Sequence, residues 1–278
     1  MIVNKYNRRA KKVNSLLCVG LDPDFTKIPK KFLKNKFPQF EFNKWIIQET
    51  NEYVSAFKLN SAFYEARGDK GIQELKMTMK YLIKNYPDIF TILDAKRADI
   101  GNTNNGHVSF AFNWLNVDAI TLHPYLGQEA VQPFLDREDK ASIILCKTSN
   151  PGASELQDLQ VSDVGRPNSG RPTSETKPIW QIVAEKVFKE WNKNNNCMLV
   201  VGATYPEDLK KVREIVGDMT ILVPGIGAQG GDIEKVMKAG LNKEGLGLII
   251  NSSRGIIFAA NPKEEAKKLC KEIRKYRV

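Results

Sequence analysis

Eight short apolar runs punctuate the chain, and they constrain its fold more than any other feature. They are SLLCVGLD (15–22), SAFKLN (55–60), TILDAK (91–96), DAITLH (118–123), SIILCKTS (142–149), CMLVVGA (197–203), TILVPGIG (220–227) and LGLIINSS (246–253). Most are near-continuous Val, Ile and Leu rather than alternating, the pattern of parallel strands covered on both faces. Helical periodicity lies between them. Leu209, Val212 and Val216 share a face in 206–217, as do Ile233, Val236, Met237 and Gly240 in the next segment. Asn261-Pro262 reads as an N-cap followed by a first-turn proline, after which Ala266, Leu269, Cys270 and Ile273 face one side. Further helices are expected over 43–54, 70–86, 104–115, 127–137 and 178–193.

A strand followed by a helix, eight times over in 278 residues, argues for a single (β/α)8 TIM barrel occupying the whole chain, 1–278. The competing architecture is a doubly wound open sheet, but no G-x-G-x-x-G follows the first strand. One segment, 158–178, breaks the rhythm. It is rich in Ser, Gly, Pro and Thr, has no periodicity, and follows the fifth strand, so it reads as a loop insert that is either a functional flap or disordered.

Composition narrows the class. With 42% hydrophobic and 27% charged residues the chain is ordinary globular material. No apolar run approaches the ~18 residues of a membrane span. The basic N-terminus lacks the apolar core and cleavage site of a secretory signal, so a cytoplasmic protein is expected. Cys18, Cys146, Cys197 and Cys270 lie far apart, show no zinc spacing, and read as reduced core thiols. The net charge of +10 suits an anionic ligand, yet lysines alternate with acids in VFKEWNKN and KEEAKKLCKEIRKY. No basic block interleaved with aromatics occurs, so neither nucleic acid nor membrane is expected as a partner. The two histidines suggest no metal or triad: His123 reads as a satisfied rim or core residue, and His107 as exposed on the third helix.

A barrel places its chemistry where strands end. Here the strands end in Asp22, in Lys58-Leu59-Asn60, in Asp94-Ala95-Lys96, in His123, in Lys147-Thr148-Ser149, in Pro224-Gly225 and in Asn251-Ser252-Ser253-Arg254. Alternation along the third strand puts Asp94 and Lys96 on one face, and Lys58 on the neighbouring strand can point into the same space. Asp99 sits just past the strand, able to fold back or to reach a neighbouring subunit. Alternating lysines and carboxylates keep each other ionised, and such an array can set an ammonium against a carbanion or a carboxylate against a substrate's negative charge. An ion network tying the rim together is the plainer alternative. Glycines in VPGIGAQGGDIEK (223–235) let backbone N–H groups approach an anion at a helix start. Arg254 after the eighth strand offers a bidentate fork, and Gln229 can close over the anion.

At these residues the chain resembles a known family. DAKRADI resembles the D-x-K-x-x-D signature of orotidine 5'-phosphate decarboxylases. LCVGLDPD, FKLNSAFYEARG, LDAKRADIGNT, CKTSNPGASELQDL, VVGATYPEDL, VPGIGAQGG and NSSRG resemble family blocks in family order, closest to the longer branch whose phosphate loop reads GAQGG. The resemblance implies cofactor-free, metal-free decarboxylation of orotidine 5'-phosphate to UMP, the last step of de novo pyrimidine synthesis. It implies a charged tetrad of Lys58, Asp94, Lys96 and Asp99, with Lys96 protonating C6. Asp22 and Lys58 would hold ribose hydroxyls, Asn60 would support Lys58 and the substrate, and Thr148 and Ser149 would meet the pyrimidine edge. Pro224, Gly225, Gln229, Gly230 and Arg254 would form the phosphate end. Asp99 and Thr103 would enter the partner's site, making a homodimer obligatory. The 158–178 insert departs from shorter relatives, and Arg166 and Arg171 within it receive no role. Alternatives are a metal-dependent sugar-phosphate decarboxylase or epimerase of the same superfamily, a Schiff-base aldolase, and a non-catalytic nucleotide-binding protein.

Overall fold

The computed structural model describes residues 2–162, 176–226 and 231–277. Its strands are β1 (Leu17–Gly20), β2 (Ala56–Asn60), β3 (Phe90–Arg97), β4 (Ala119–Leu122), β5 (Ala141–Lys147), β6 (Gln160–Ser162), β7 (Thr176–Pro178), β8 (Cys197–Val201), β9 (Ile221–Pro224) and β10 (Leu248–Ser252). Eight of them close a parallel barrel in the order β1-β2-β3-β4-β5-β8-β9-β10, with β10 pairing back onto β1. These are the eight apolar runs of the sequence. Strands such as β4 and β8 are buried along their whole length because barrel interior and helical shell cover opposite faces.

The helical shell follows the sequence periodicity with shifted boundaries. The first expected shell helix runs Pro38–Thr50, beginning earlier than 43 because Pro38 occupies the first turn, where its missing N–H costs nothing. Gly68–Asn85, Gly127–Leu135 and Pro206–Val216 lie where periodicity places them. Asn261 does cap the last helix, accepting from Glu264 N–H at 3.2 Å, with Pro262 at its first position. The helices starting at Thr103 and Ile179 both end in π-helical turns, Ser109–Leu115 and Val187–Trp191. All four cysteines are buried and unpaired.

Several elements are not legible in the sequence, among them an N-terminal helix and a hairpin within the insert. Val3–Lys12 is a helix that packs under the barrel. Only Tyr6, Arg9 and Ala10 of it are buried, too thin a stripe to stand out from its basic residues. Tyr6 donates to the Leu248 carbonyl at 2.5 Å, and Lys5 pairs with Asp118 at 2.7 Å where β4 begins. In the 158–178 insert, β6 and β7 pair antiparallel, Gln160 opposite Pro178 and Ser162 opposite Thr176. The insert therefore leaves and re-enters through a hairpin root. Arg166 and Arg171 lie outside the described residues.

Candidate active site

A cleft of about 460 Å³ opens at the carboxyl-terminal ends of the barrel strands. Every barrel strand contributes a wall residue, from Asp22 just past β1 round to Asn251 on β10. Leu145, Val200 and Leu222 make one side apolar, while charged groups from β2 and β3 face them. A flat, partly polar ring suits such a space.

Asp94 is the hub of the charged side. Its Oδ2 accepts from Lys58 Nζ at 2.9 Å, and its Oδ1 from Lys96 Nζ at 2.7 Å and from Thr121 Oγ1 at 2.9 Å. Lys58 also lies 3.8 Å from Asp22. The side chains of Lys58 and Asp94 are only 4% and 11% exposed, so neither charge could persist there alone. Burial opposes ionisation of Asp94, but the ammonium groups of Lys58 and Lys96 outweigh it and hold the carboxyl well below the usual carboxylate range. Burial likewise works against charge on Lys58; Asp22 and Asp94 outweigh it and hold the ammonium above the ordinary lysine range. Both groups are therefore ionised at neutral pH.

Simple alternation is not what brings Lys96 to Asp94. Leu93 pairs with Ile120 and Arg97 with Leu122, so Asp94, Ala95 and Lys96 oppose Thr121 alone. Lys96 takes the left-handed backbone conformation, φ +49°, uncommon for a residue with a long side chain. The bulge turns its ammonium back to Asp94 while leaving nearly half the side chain, 48%, open to the cleft and solvent.

The rest of the wall divides into two ends. Asp22 Oδ1 accepts from Asn60 N–H at 3.3 Å, and Asn60 Oδ1 accepts from Ala62 N–H at 3.2 Å at the start of the next helix. Thr148 is gripped by Gln157, whose Oε1 accepts from Thr148 N–H and whose Nε2 donates to Thr148 Oγ1, both at 2.8 Å. Next to Gln157, Asp158 pairs at 2.5 Å with the fully buried ammonium of Lys147 at the end of β5, tying the hairpin root to the barrel. Ser149 also lines the cleft. At the other end stand Pro224, Gly225 and Arg254. Gly225 has φ +102°, a conformation that favours glycine. Arg254 is exposed at the rim and has no ion-pair partner among the described residues. Gln229 and Gly230 lie outside the described residues.

Asp99 and Thr103 stand apart from their own chain's cleft wall. Asp99 Oδ1 accepts from Ile100 N–H at 2.7 Å, and its N–H donates to Asn104 at 2.9 Å. Thr103 is exposed at the start of its helix. His123 Nε2 donates to the Ala98 carbonyl at 3.1 Å, while its buried Nδ1 has no hydrogen-bond partner among the described residues, so the ring is only half satisfied. His107 is half-buried rather than exposed; burial and then the Arg97 guanidinium lower its pKa. Among the described residues no group of three or more His, Cys, Asp and Glu side chains is placed to hold a metal ion.

Polar cleft residues to which the sequence reading gave no role include Thr121, Gln157 and Asn251. Asn251 Oδ1 is buried with no hydrogen-bond partner among the described residues. Signals existed for each. Thr121 is the hydroxyl residue in DAITLH, two positions before His123; Gln157 and Asn251 lie inside CKTSNPGASELQDL and NSSRG.

Fold and cleft together define a (β/α)8-barrel enzyme whose charged groups converge at the carboxyl-terminal mouth. The orotidine 5'-phosphate decarboxylase / HUMPS family model matches residues 15–269. The chain belongs to that family. It is 44% identical over 250 residues to the orotidine 5'-phosphate decarboxylase of Cellvibrio japonicus, covering 89% of this chain and 86% of the relative. It is 46% identical over 250 residues to that of Christiangramia forsetii, covering 90% and 86%. The structure of Leishmania donovani OMP decarboxylase superposes with a TM-score of 0.85 at 39% identity, covering 99% of this chain and 98% of that one.

Proposed function

We propose that the chain decarboxylates orotidine 5'-phosphate to UMP, closing de novo pyrimidine synthesis, without a coenzyme. The observation that carries this reading is the Lys58–Asp94–Lys96 network on one wall of a cleft whose far end holds Gly225 and Arg254. In the reaction the C6–carboxylate bond breaks, carbon dioxide leaves, and the electron pair stays on C6. The Lys96 ammonium faces that charge and gives C6 its proton; preorganised charge replaces the electron sink a coenzyme would supply. Lys96 then regains a proton from solvent, which its half-exposed side chain allows. Asp94 and Lys58 keep Lys96 aimed and charged. Asp22, with Lys58, takes ribose hydroxyls, and Asn60 supports that end. Thr148 and Ser149 read the pyrimidine edge. Pro224, Gly225, Gln229, Gly230 and Arg254 hold the phosphate, whose binding energy drives closure of the site.

In this reading the enzyme is one barrel domain spanning the chain, works in the cytoplasm, takes neither nucleic acid nor membrane as partner, and is an obligate homodimer. Asp99 and Thr103 complete the partner's site, which agrees with their standing off their own cleft. Ile100 and Tyr125, 63% and 84% exposed on the neighbouring loops, are the apolar surface such a dimer would cover. No described helix is long and apolar enough to cross a membrane.

The test is the fall in absorbance of orotidine 5'-phosphate, followed with and without EDTA. Full turnover in chelator is expected. Activity abolished by chelator and restored by a divalent ion would transfer the chain to the metal-dependent sugar-phosphate branch. UMP binding without turnover would make it a nucleotide-binding protein.

A further inference from the structure

The β3 bulge leaves Lys96 N–H without a strand partner, since three residues of β3 face one of β4. Thr121, 1% exposed, supplies what the ladder lacks. Its Oγ1 accepts from Lys96 N–H at 2.9 Å and donates to Asp94 Oδ1, also at 2.9 Å. The single hydroxyl proton is thus committed to the carboxylate and the lone pair to the amide. This relay runs N–H to O–H to carboxylate and fixes the two residues relative to each other. On the same Asp94 oxygen, Lys96 Nζ closes the loop at 2.7 Å. The left-handed Lys96 backbone, φ +49°, is held from both ends: by its amide on Thr121 and by its ammonium on Asp94.

We infer that Thr121 is a positioning residue for the decarboxylation, setting the angle at which Asp94 and Lys96 present their charges. The inference rests on the decarboxylase reading above. Thr121 itself does no proton transfer. Without its hydroxyl, Lys96 N–H is unpaired beside a buried carboxylate, and the bulge can relax toward ordinary strand geometry. That would carry the ammonium away from C6 with the phosphate end left intact.

The experiment compares kcat for orotidine 5'-phosphate with Kd for UMP in Thr121→Val, Thr121→Ala and Thr121→Ser. Valine keeps the shape and removes both hydrogen bonds; serine keeps the bonds and removes a methyl group. The expected result is a kcat lowered about ten- to a hundredfold in T121V and T121A, as for loss of a hydrogen bond to a charged group, with UMP affinity changed less than about twofold. T121S is expected to stay close to wild type. A T121V kcat within twofold of wild type would overturn the inference, as would a UMP affinity falling in step with kcat, or T121S losing as much as T121A. If T121V does not fold, the contrast between T121A and T121S decides. An inert wild type would instead refute the decarboxylase reading; an active wild type indifferent to T121V refutes only the role of Thr121.

Discussion

Lys58 is withdrawn almost completely from water and rests its ammonium 2.9 Å from Asp94, while Asp22 stands 3.8 Å away on the other side. The pair is held by mutual need: each charge is tolerated in the wall only because the other is there.

Asp94→Asn should therefore change stability in a pH-dependent way. Lys58 has a folded pKa raised above its unfolded value near ~10.4, so its contribution is complete below that pH and is lost as pH rises through the folded value. With only Asp22 remaining, the folded value drops. The variant's Tm should be lower at neutral pH, and its alkaline decline should begin earlier. Thermal melts from about pH 7 to pH 11 check this, and an unchanged alkaline edge would contradict it. Asp94 works in the opposite sense at the acid end. Its depressed pKa adds stability above the unfolded value near ~3.9, lost as pH falls through the folded value, and the asparagine variant lacks that contribution.

In the proposed reading Lys96→Ala removes both the proton donor and the charge that faces C6. Deleting one preorganised donor from an active site costs about 10²–10³ in kcat, and loss of the acid as well should exceed that. UMP binding should survive. Steady-state turnover and product titration measure the two separately; a loss under about tenfold would dismiss Lys96 as the acid.

If Arg254 holds the phosphate as proposed, Arg254→Ala should lower kcat/KM by at least about 10- to 100-fold, the worth of a charge-assisted contact to phosphate. Kinetics with saturating and sub-saturating substrate will show it. A variant with wild-type kcat/KM would remove Arg254 from the phosphate end.

Asp99→Ala and Lys96→Ala chains, each inactive alone, should complement when mixed. In the proposed homodimer a mixed dimer would pair an intact Lys96 on one chain with an intact Asp99 on the other, rebuilding one of its two sites. Random exchange should restore about a quarter of wild-type activity. Mixing followed by assay decides; if no activity returns although the chains exchange, Asp99 does not serve the partner's site.

The barrel was legible because its strands are buried on both faces and so write themselves as unbroken Val, Ile and Leu. The position of Lys58 and Asp94 followed from strand ends alone. What could not be read was the bulge. Asp94-Ala95-Lys96 contains no glycine or turn residue to announce a register shift, and the left-handed Lys96 is held by a tertiary contact to Thr121. Tertiary contacts also explain the missed hairpin root of the insert, whose three-residue strands carry too few side chains for any period to show. Gln157 was hidden for a similar reason: it sits on a four-residue helix and matters only through its grip on Thr148.

The helix Val3–Lys12 lies at the amino-terminal ends of the barrel strands, where Tyr6 donates to the Leu248 carbonyl and Lys5 pairs with Asp118, opposite the end at which the cleft opens. In the proposed reading product and substrate share that one cleft, so UMP should inhibit turnover competitively, raising the apparent KM for orotidine 5'-phosphate and leaving kcat unchanged.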